Sequence, residues 1–212
     1  MSNFTRNLQC KSCRRAGEKL FLKGEKCNSA KCPMVKRNFP PGMHGPLQRV
    51  GKKTNFGKQL AEKQKAKRMY GIYEAQFLIY FKKSLSKVGN TGEWLFRFLE
   101  GRLDNTVYRL GFAASRRAAR QLVGHGNVRV NGEKVNIPSY QVKTGDVIAL
   151  SDKILKSSGY KEIKQKLSKL TNIPAWLTID SDKIEGKVTS QPKLGDIAVN
   201  IDWRTIVEYY SK

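Results

Sequence analysis

The sequence is short of acidic residues, histidines and long apolar runs. Only 17 of its 212 residues are Asp or Glu and two are His. No run reaches the roughly 18 apolar residues that a membrane-spanning helix needs, so we expect no membrane segment. Two histidines leave little capacity for acid–base catalysis, and we find no Ser/His/Asp set, clustered carboxylate pair or phosphate-cradling glycine loop. We therefore expect no small-molecule substrate. MSNFTRNLQC, at the start, lacks the apolar core of a secretory signal.

Basic residues are abundant. The chain has 41 Lys and Arg and a formal net charge of +24 at pH 7. Residues 1–70 hold 18 basic and three acidic residues, a net charge of +15, whereas residues 151–212 carry only +3. An isolated protein with this charge repels itself and attracts polyanions, which makes a nucleic acid the natural partner.

The cysteines are confined to the first 32 residues, in the spacing Cys10-x2-Cys13-x13-Cys27-x4-Cys32. Two close pairs of thiolates are typical of a tetrahedral zinc site, and four protein ligands leave no open position for catalysis. We predict one structural zinc ion. Two disulfides are the alternative, which reducing conditions inside a cell disfavour.

A loop and a helical stretch follow. Residues 37–57 are rich in Pro, Gly and basic side chains, which excludes a helix. Residues 58–87 have a wide apolar face at helical spacing, and Gly71 marks a break between two helices. We expect the aromatic residues of this stretch to lie in the core.

Residues 102–137 are predicted to form two short helices and a hairpin. Apolar residues at spacings of three and four indicate one helix from about Glu93 to Gly111, capped by Thr91. Ser115 is suited to cap a second helix, whose exposed face carries three arginines. The Asn131-Gly132 pair then predicts a tight hairpin.

The C-terminal third of the sequence is predicted to form mainly short strands. Residues 142–150 predict a further pair of strands, and residues 174–189 alternate as strands with a turn at Glu185-Gly186. Asp202 is suited to cap a last helix.

Several motifs together resemble a known family. Residues 102–137 are similar to a small RNA-binding module that also occurs in RNA-modifying enzymes and some tRNA synthetases. The cysteine block, PPGMHG, QLAEKQKAKRMYGIYEAQF, NTGEWLFRFLEGRLDNTVYRLGF, VRVNGEKVNIPSYQV and VEYYSK follow one another along the chain. Their order resembles the family of fourth small-subunit ribosomal proteins of bacterial type, in the form that contains cysteines.

The resemblance implies an α+β fold. It consists of a helical domain with an N-terminal zinc-knuckle segment, and of an inserted RNA-binding module with two helices and a small, mostly antiparallel sheet. We place the zinc-knuckle segment at 1–45, the helical domain at 46–98 completed by 200–212, and the module at 99–199.

The resemblance also implies a function. It predicts a non-enzymatic, structural protein of the small ribosomal subunit that binds rRNA first, starts assembly and contributes to translational accuracy. The expected partners are small-subunit rRNA, the fifth small-subunit ribosomal protein and mRNA near its entrance. The expected location is a cytoplasmic ribosome or that of an organelle.

The candidate RNA contacts are basic residues of the N-terminal segment, the helical stretch and the module. They are Arg14, Arg15, Lys36, Arg37, His44, Arg49, Lys52, Lys53, Lys63, Lys67, Arg68, Arg102, Arg116, Arg117, Arg120, His125, Arg129 and Lys134.

Two other functions remain open at this point. Gly101-Arg102-Leu103-Asp104 resembles the motif that carries the catalytic aspartate of pseudouridine synthases, which often contain the same module. Here the motif lies inside the module, and too few residues follow it to build a catalytic domain. A DNA-binding helix-turn-helix regulator is the other alternative.

Overall fold

Two units make up the fold. The structure is a computed structural model that describes residues 8–47, 53–155, 164, 167, 173–180, 183–197 and 199–211. The units are Met1–Phe77 with Ile201–Lys212, and Leu78–Asn200. The second unit thus begins earlier in the chain than the module expected from residue 99. The finer division at residue 45 stays a prediction.

Eight of the described α-helices precede the strands, a ninth lies between the third and fourth strands, and a tenth follows the fifth strand. The described helices are α1 (Leu8–Ala16), α2 (Glu25–Asn28), α3 (Pro33–Lys36), α4 (Asn55–Tyr70), α5 (Glu74–Leu85), α6 (Thr91–Glu100), α7 (Leu103–Arg109), α8 (Arg116–Gly124), α9 (Asp152–Leu155) and α10 (Trp203–Tyr210). The described strands are β1 (Val128–Val130), β2 (Glu133–Lys134), β3 (Val147–Leu150), β4 (Leu177–Asp180) and β5 (Glu185–Val188). Of the helices described here, none has the length and apolar character needed to cross a bilayer.

In the first unit, α4 packs against α10. The Thr54 hydroxyl accepts a hydrogen bond from the Gly57 amide and caps α4 at its start. Gly71 ends α4 in the left-handed conformation, at φ 64°, so the predicted break between two helices is confirmed. Asp202 caps α10, as predicted, by accepting from the Thr205 amide at 3.1 Å.

In the second unit, the single helix predicted from Glu93 to Gly111 is wrong. The chain forms α6 and α7 instead, with a break at Gly101 and Arg102. The break is stabilised from outside the helices, because the Leu103 amide donates to the Tyr140 carbonyl at 2.8 Å. The cap of α6 is Asn90, not Thr91.

The sheet has five antiparallel strands in the order β2-β1-β3-β5-β4. Asn131 and Gly132 join β1 to β2 with φ of 51° and 86°, the positive values that the predicted tight turn requires. Residues 142–150 form one strand rather than two. Glu185 and Gly186 lie within β5 and pair with β3, so the turn predicted there is wrong.

The core of the second unit lies between one face of the sheet and the apolar sides of α7 and α8. It contains Leu110, Val123 and Ile148, which are fully buried. Gly186 lies so close to α7 that a Cβ atom added there would meet Leu110 Cδ1 at 2.5 Å. The absence of a side chain at Gly186 therefore lets α7 approach β5.

We predict that Gly186→Ala destabilises the protein by about 1–3 kcal/mol, because the added methyl group overpacks the core. The free energy of unfolding in urea measures this effect. Gly124→Ala is the matched control, since a Cβ atom there meets nothing within 4 Å. The idea of a close approach fails if both variants unfold at the wild-type urea concentration.

Candidate nucleic-acid interface

Helix α8 carries three of the predicted RNA-binding arginines. Ser115 caps it as predicted, because its hydroxyl accepts a hydrogen bond from the Ala118 amide at 3.2 Å. Arg117 is exposed, whereas the side chains of Arg116 and Arg120 are 12% and 35% exposed. The predicted common exposed face is therefore only partly correct.

The two less exposed arginines are held by side chains of α6 and α7. Arg120 Nη2 donates to Asp104 Oδ2 at 2.7 Å, and Arg116 Nε donates to Asn105 Oδ1 at 2.7 Å. Arg116 also lies 3.9 Å from the carboxylate of Glu100. These contacts fix the orientation of α8 and its arginines.

Asp104 lies at the centre of this buried network. Arg102 donates to both of its carboxylate oxygens, at 3.0 and 2.9 Å, and to the Tyr80 hydroxyl at 2.8 Å. Burial disfavours the charge of Arg102, but the hydrogen bonds and charge of Asp104 outweigh it and raise the Arg102 pKa. Arg102 is only 4% exposed and is held by Asp104 and Tyr80, and its assignment as an RNA contact stays a prediction.

Glu100 is the second buried carboxylate of this unit. Arg109 donates to its two oxygens at 2.9 and 2.7 Å, and Asn105 Nδ2 donates to it at 2.7 Å. Sequence reasoning missed Glu100, Asn105 and Tyr80, which position the arginines. The available signal is the Arg-x-Asp spacing of Arg102 and Asp104, which places an opposite charge beside Arg102.

Three predicted residues of the hairpin region come together. His125, Arg129 and Lys134 line one cavity of about 500 Å³. Arg129 Nη2 donates to Asp152 Oδ2 at 2.7 Å, and His125 and Lys134 are exposed. These three basic residues thus share one concave surface of the second unit.

In the first unit, Lys63 and Lys67 point to Glu74 rather than to solvent. Their ammonium groups donate to its two oxygens at 2.8 and 2.5 Å, and the Tyr210 hydroxyl donates at 2.6 Å. Burial alone would raise the pKa of Glu74, but these three donors outweigh it and lower the pKa to about 2. Lys63 and Lys67 are thus bound to a carboxylate of the same unit, and their assignment as RNA contacts stays a prediction.

Among the other predicted RNA-binding residues of positions 1–70, some are held within the fold and others are exposed. Arg14 donates to the Phe39 and Pro40 carbonyls at 2.9 and 3.1 Å and lies over the Phe39 ring, so it holds the loop in place. Arg68 is half-buried, and burial together with the charge of Arg15 lowers its pKa. The exposed predicted residues of this segment are Arg15, Lys36, Arg37, His44 and Lys53. Arg49 and Lys52 lie outside the described residues.

The four cysteines line one small cavity, of about 10 Å³. All four thiols are free, and Cys13, Cys27 and Cys32 are buried. Burial raises the pKa of Cys13, and the three neighbouring thiols add to this rise. Within the described part of the chain, no group of three or more His, Cys, Asp or Glu side chains is arranged to hold a metal ion.

Comparison with known proteins identifies matching families and close relatives of the chain. The family "Ribosomal protein S4/S9 N-terminal domain" matches residues 5–100, and the "S4 domain" matches residues 101–148. Small ribosomal subunit protein uS4A of Alkaliphilus metalliredigens is 54% identical over 203 residues, which are 96% of each chain. The uS4A protein of Symbiobacterium thermophilum and the uS4 protein of Halothermothrix orenii are each 50% identical, again over 96% of both chains.

The chain belongs to the ribosomal protein S4 family. The match to the S4 domain begins at residue 101, which is the break between α6 and α7. It includes the carboxylate of Asp104, α8 and the hairpin. The side chains that hold the arginines of α8 thus lie on both sides of the boundary between the two family matches.

We predict that Arg102→Ala destabilises the protein by about 3–5 kcal/mol, because it removes one partner of a buried ion pair. Urea unfolding measures the loss. Arg117→Ala removes the same side chain from an exposed position of the same unit and is expected to change stability by no more than about 0.5 kcal/mol. Equal stability of the two variants would mean that the Arg102–Asp104 pair does not support the fold.

Proposed function

We propose that this chain is a structural constituent of the small ribosomal subunit that binds small-subunit rRNA directly and helps start assembly. The observation that carries the proposal is 50–54% identity, over 96% of the chain, to proteins named small ribosomal subunit protein uS4 or uS4A. The expected location is the cytoplasmic ribosome. We assign no reaction to the chain.

The arrangement of charge supports direct RNA binding. Carboxylates bind Arg102, Arg120, Lys63 and Lys67 within the fold, while other cations, such as Arg117, are exposed. Exposed cations on a rigid scaffold suit RNA that is recognised by shape and phosphate contacts. The cations bound by carboxylates stabilise the fold, and the exposed cations lie where phosphates can reach them.

Two finer parts of the proposal rest on the family resemblance. One is a contact with the fifth small-subunit ribosomal protein. The other is a position near the mRNA entrance, where basic residues after PPGMHG contact mRNA and the protein contributes to translational accuracy. Of these residues Lys53 is exposed.

The binding proposal predicts that the full chain prefers small-subunit rRNA to an unrelated structured RNA of equal length. Filter binding over a series of salt concentrations measures both affinity and salt dependence. Arg117→Ala is expected to lower the slope of log affinity against log salt by roughly one, the value for one lost phosphate contact. Equal affinity for the two RNAs would contradict the proposal.

We also propose that Cys10, Cys13, Cys27 and Cys32 hold one structural zinc ion. What supports this is the donor set: four free thiols, three of them buried, line one cavity within a segment that has only three short helices. Zinc bound there would supply cross-links that the few apolar side chains of this segment do not provide.

The zinc proposal predicts about one zinc ion per chain by elemental analysis of protein purified without added metal. Cys27→Ser combined with Cys32→Ser is expected to lose the metal and to unfold at a lower temperature. A preparation that contains no zinc and whose unfolding temperature does not rise when zinc is added would rule zinc out.

A further inference from the structure

The cavity near the hairpin combines cations with groups that are poor phosphate ligands. Four side chains with basic groups, those of His125, Arg129, Lys134 and Lys153, line its volume of about 500 Å³. Among the described residues that line it, none has an apolar side chain. This composition favours an anionic ligand.

The same cavity also contains a carboxylate, an amide and a hydroxyl. The Asp152 side chain is 66% exposed although it accepts a hydrogen bond from Arg129. The Asn127 side chain offers a donor and an acceptor. Ser151 Oγ is buried and has no hydrogen-bond partner among the described residues. A site for phosphate alone gains nothing from a carboxylate, which repels it.

We propose that this cavity holds a single unpaired nucleotide of the bound rRNA. The inference rests on the proposed function and adds to it a site that contacts one base. The phosphate lies against the cations, while Asp152 and Asn127 accept and donate hydrogen bonds at the edge of the base. Carboxylates accept from exocyclic amino groups of bases, and amides pair with base edges in both directions.

The size and shape of the cavity support a nucleotide rather than a length of duplex. Sites for small ligands have volumes of about 300–1,000 Å³, a range that includes this cavity. A paired stem offers only its regular backbone and groove, whereas an unpaired nucleotide turns outward and exposes its base for stacking and hydrogen bonding. The exposed ring of His125 at the cavity is suited to such stacking.

Chemical probing of small-subunit rRNA bound to the full chain tests the inference. Dimethyl sulfate and a carbodiimide modify the base edges, and hydroxyl radicals report on the backbone. We expect the wild-type protein to protect the base edge of one unpaired nucleotide. His125→Ala combined with Lys134→Ala should raise its modification roughly fivefold or more, since one stacked base contributes about that factor. The rest of the backbone footprint should stay unchanged.

Asp152→Ala distinguishes a base contact from a phosphate contact, because alanine has neither the charge nor the acceptor atoms of the carboxylate. If the carboxylate accepts from the base, this variant loses the base-edge protection. If the cavity binds only phosphate, removing the negative charge strengthens RNA binding and changes no base edge, which overturns the inference. Lys143→Ala is the control, because Lys143 is exposed in the same unit but does not line the cavity; it should leave the protected base unchanged.

Different results would contradict the nucleotide site and rRNA binding as a whole. The nucleotide site is overturned if the backbone footprint is normal but no protected base edge depends on the cavity residues. That result leaves rRNA binding intact. A wild-type protein that gives no footprint on small-subunit rRNA overturns both.

Discussion

Two buried carboxylates, those of Glu100 and Asp104, determine how the second unit holds its arginines. Asp104 binds Arg102 and Arg120, and Glu100 binds Arg109 and lies near Arg116. Without these acids, the guanidinium groups of α7, of α8 and of the residue before α7 would repel one another in a poorly solvated place. With them, α7 and α8 are joined by charge-assisted hydrogen bonds, and the direction in which α8 presents its remaining cations is fixed.

Glu74 has the same role in the first unit, where one carboxylate accepts hydrogen bonds from Lys63, Lys67 and Tyr210. These three acidic residues therefore do more than lower the net charge of a basic chain. They bind particular cations inside the fold and separate them from those that face solvent. The exposed basic residues lie where a polyanion can reach them.

Features set by neighbouring residues could be predicted from the sequence, whereas those set by distant residues could not. The Ser115 cap, the Gly71 break and the Asn131-Gly132 turn each depend on a few adjacent residues, and all three are present. The break between α6 and α7 was missed because apolar spacing continues through it, and the carbonyl that stabilises it belongs to Tyr140. Which cations face inward depends on acids elsewhere in the fold, such as Glu74, so the basic residues alone did not reveal it.

The strand order has a consequence for the behaviour of the unassembled chain. The edge strands of the sheet are β2, with two residues, and β4, with four. Both residues of β2, Glu133 and Lys134, are charged and exposed. Both edge strands are short and β2 is fully charged, so they offer little free backbone for strand addition, the usual route by which sheets of separate copies join into aggregates. The sheet is thus protected from self-association during the interval between synthesis and incorporation into a larger particle.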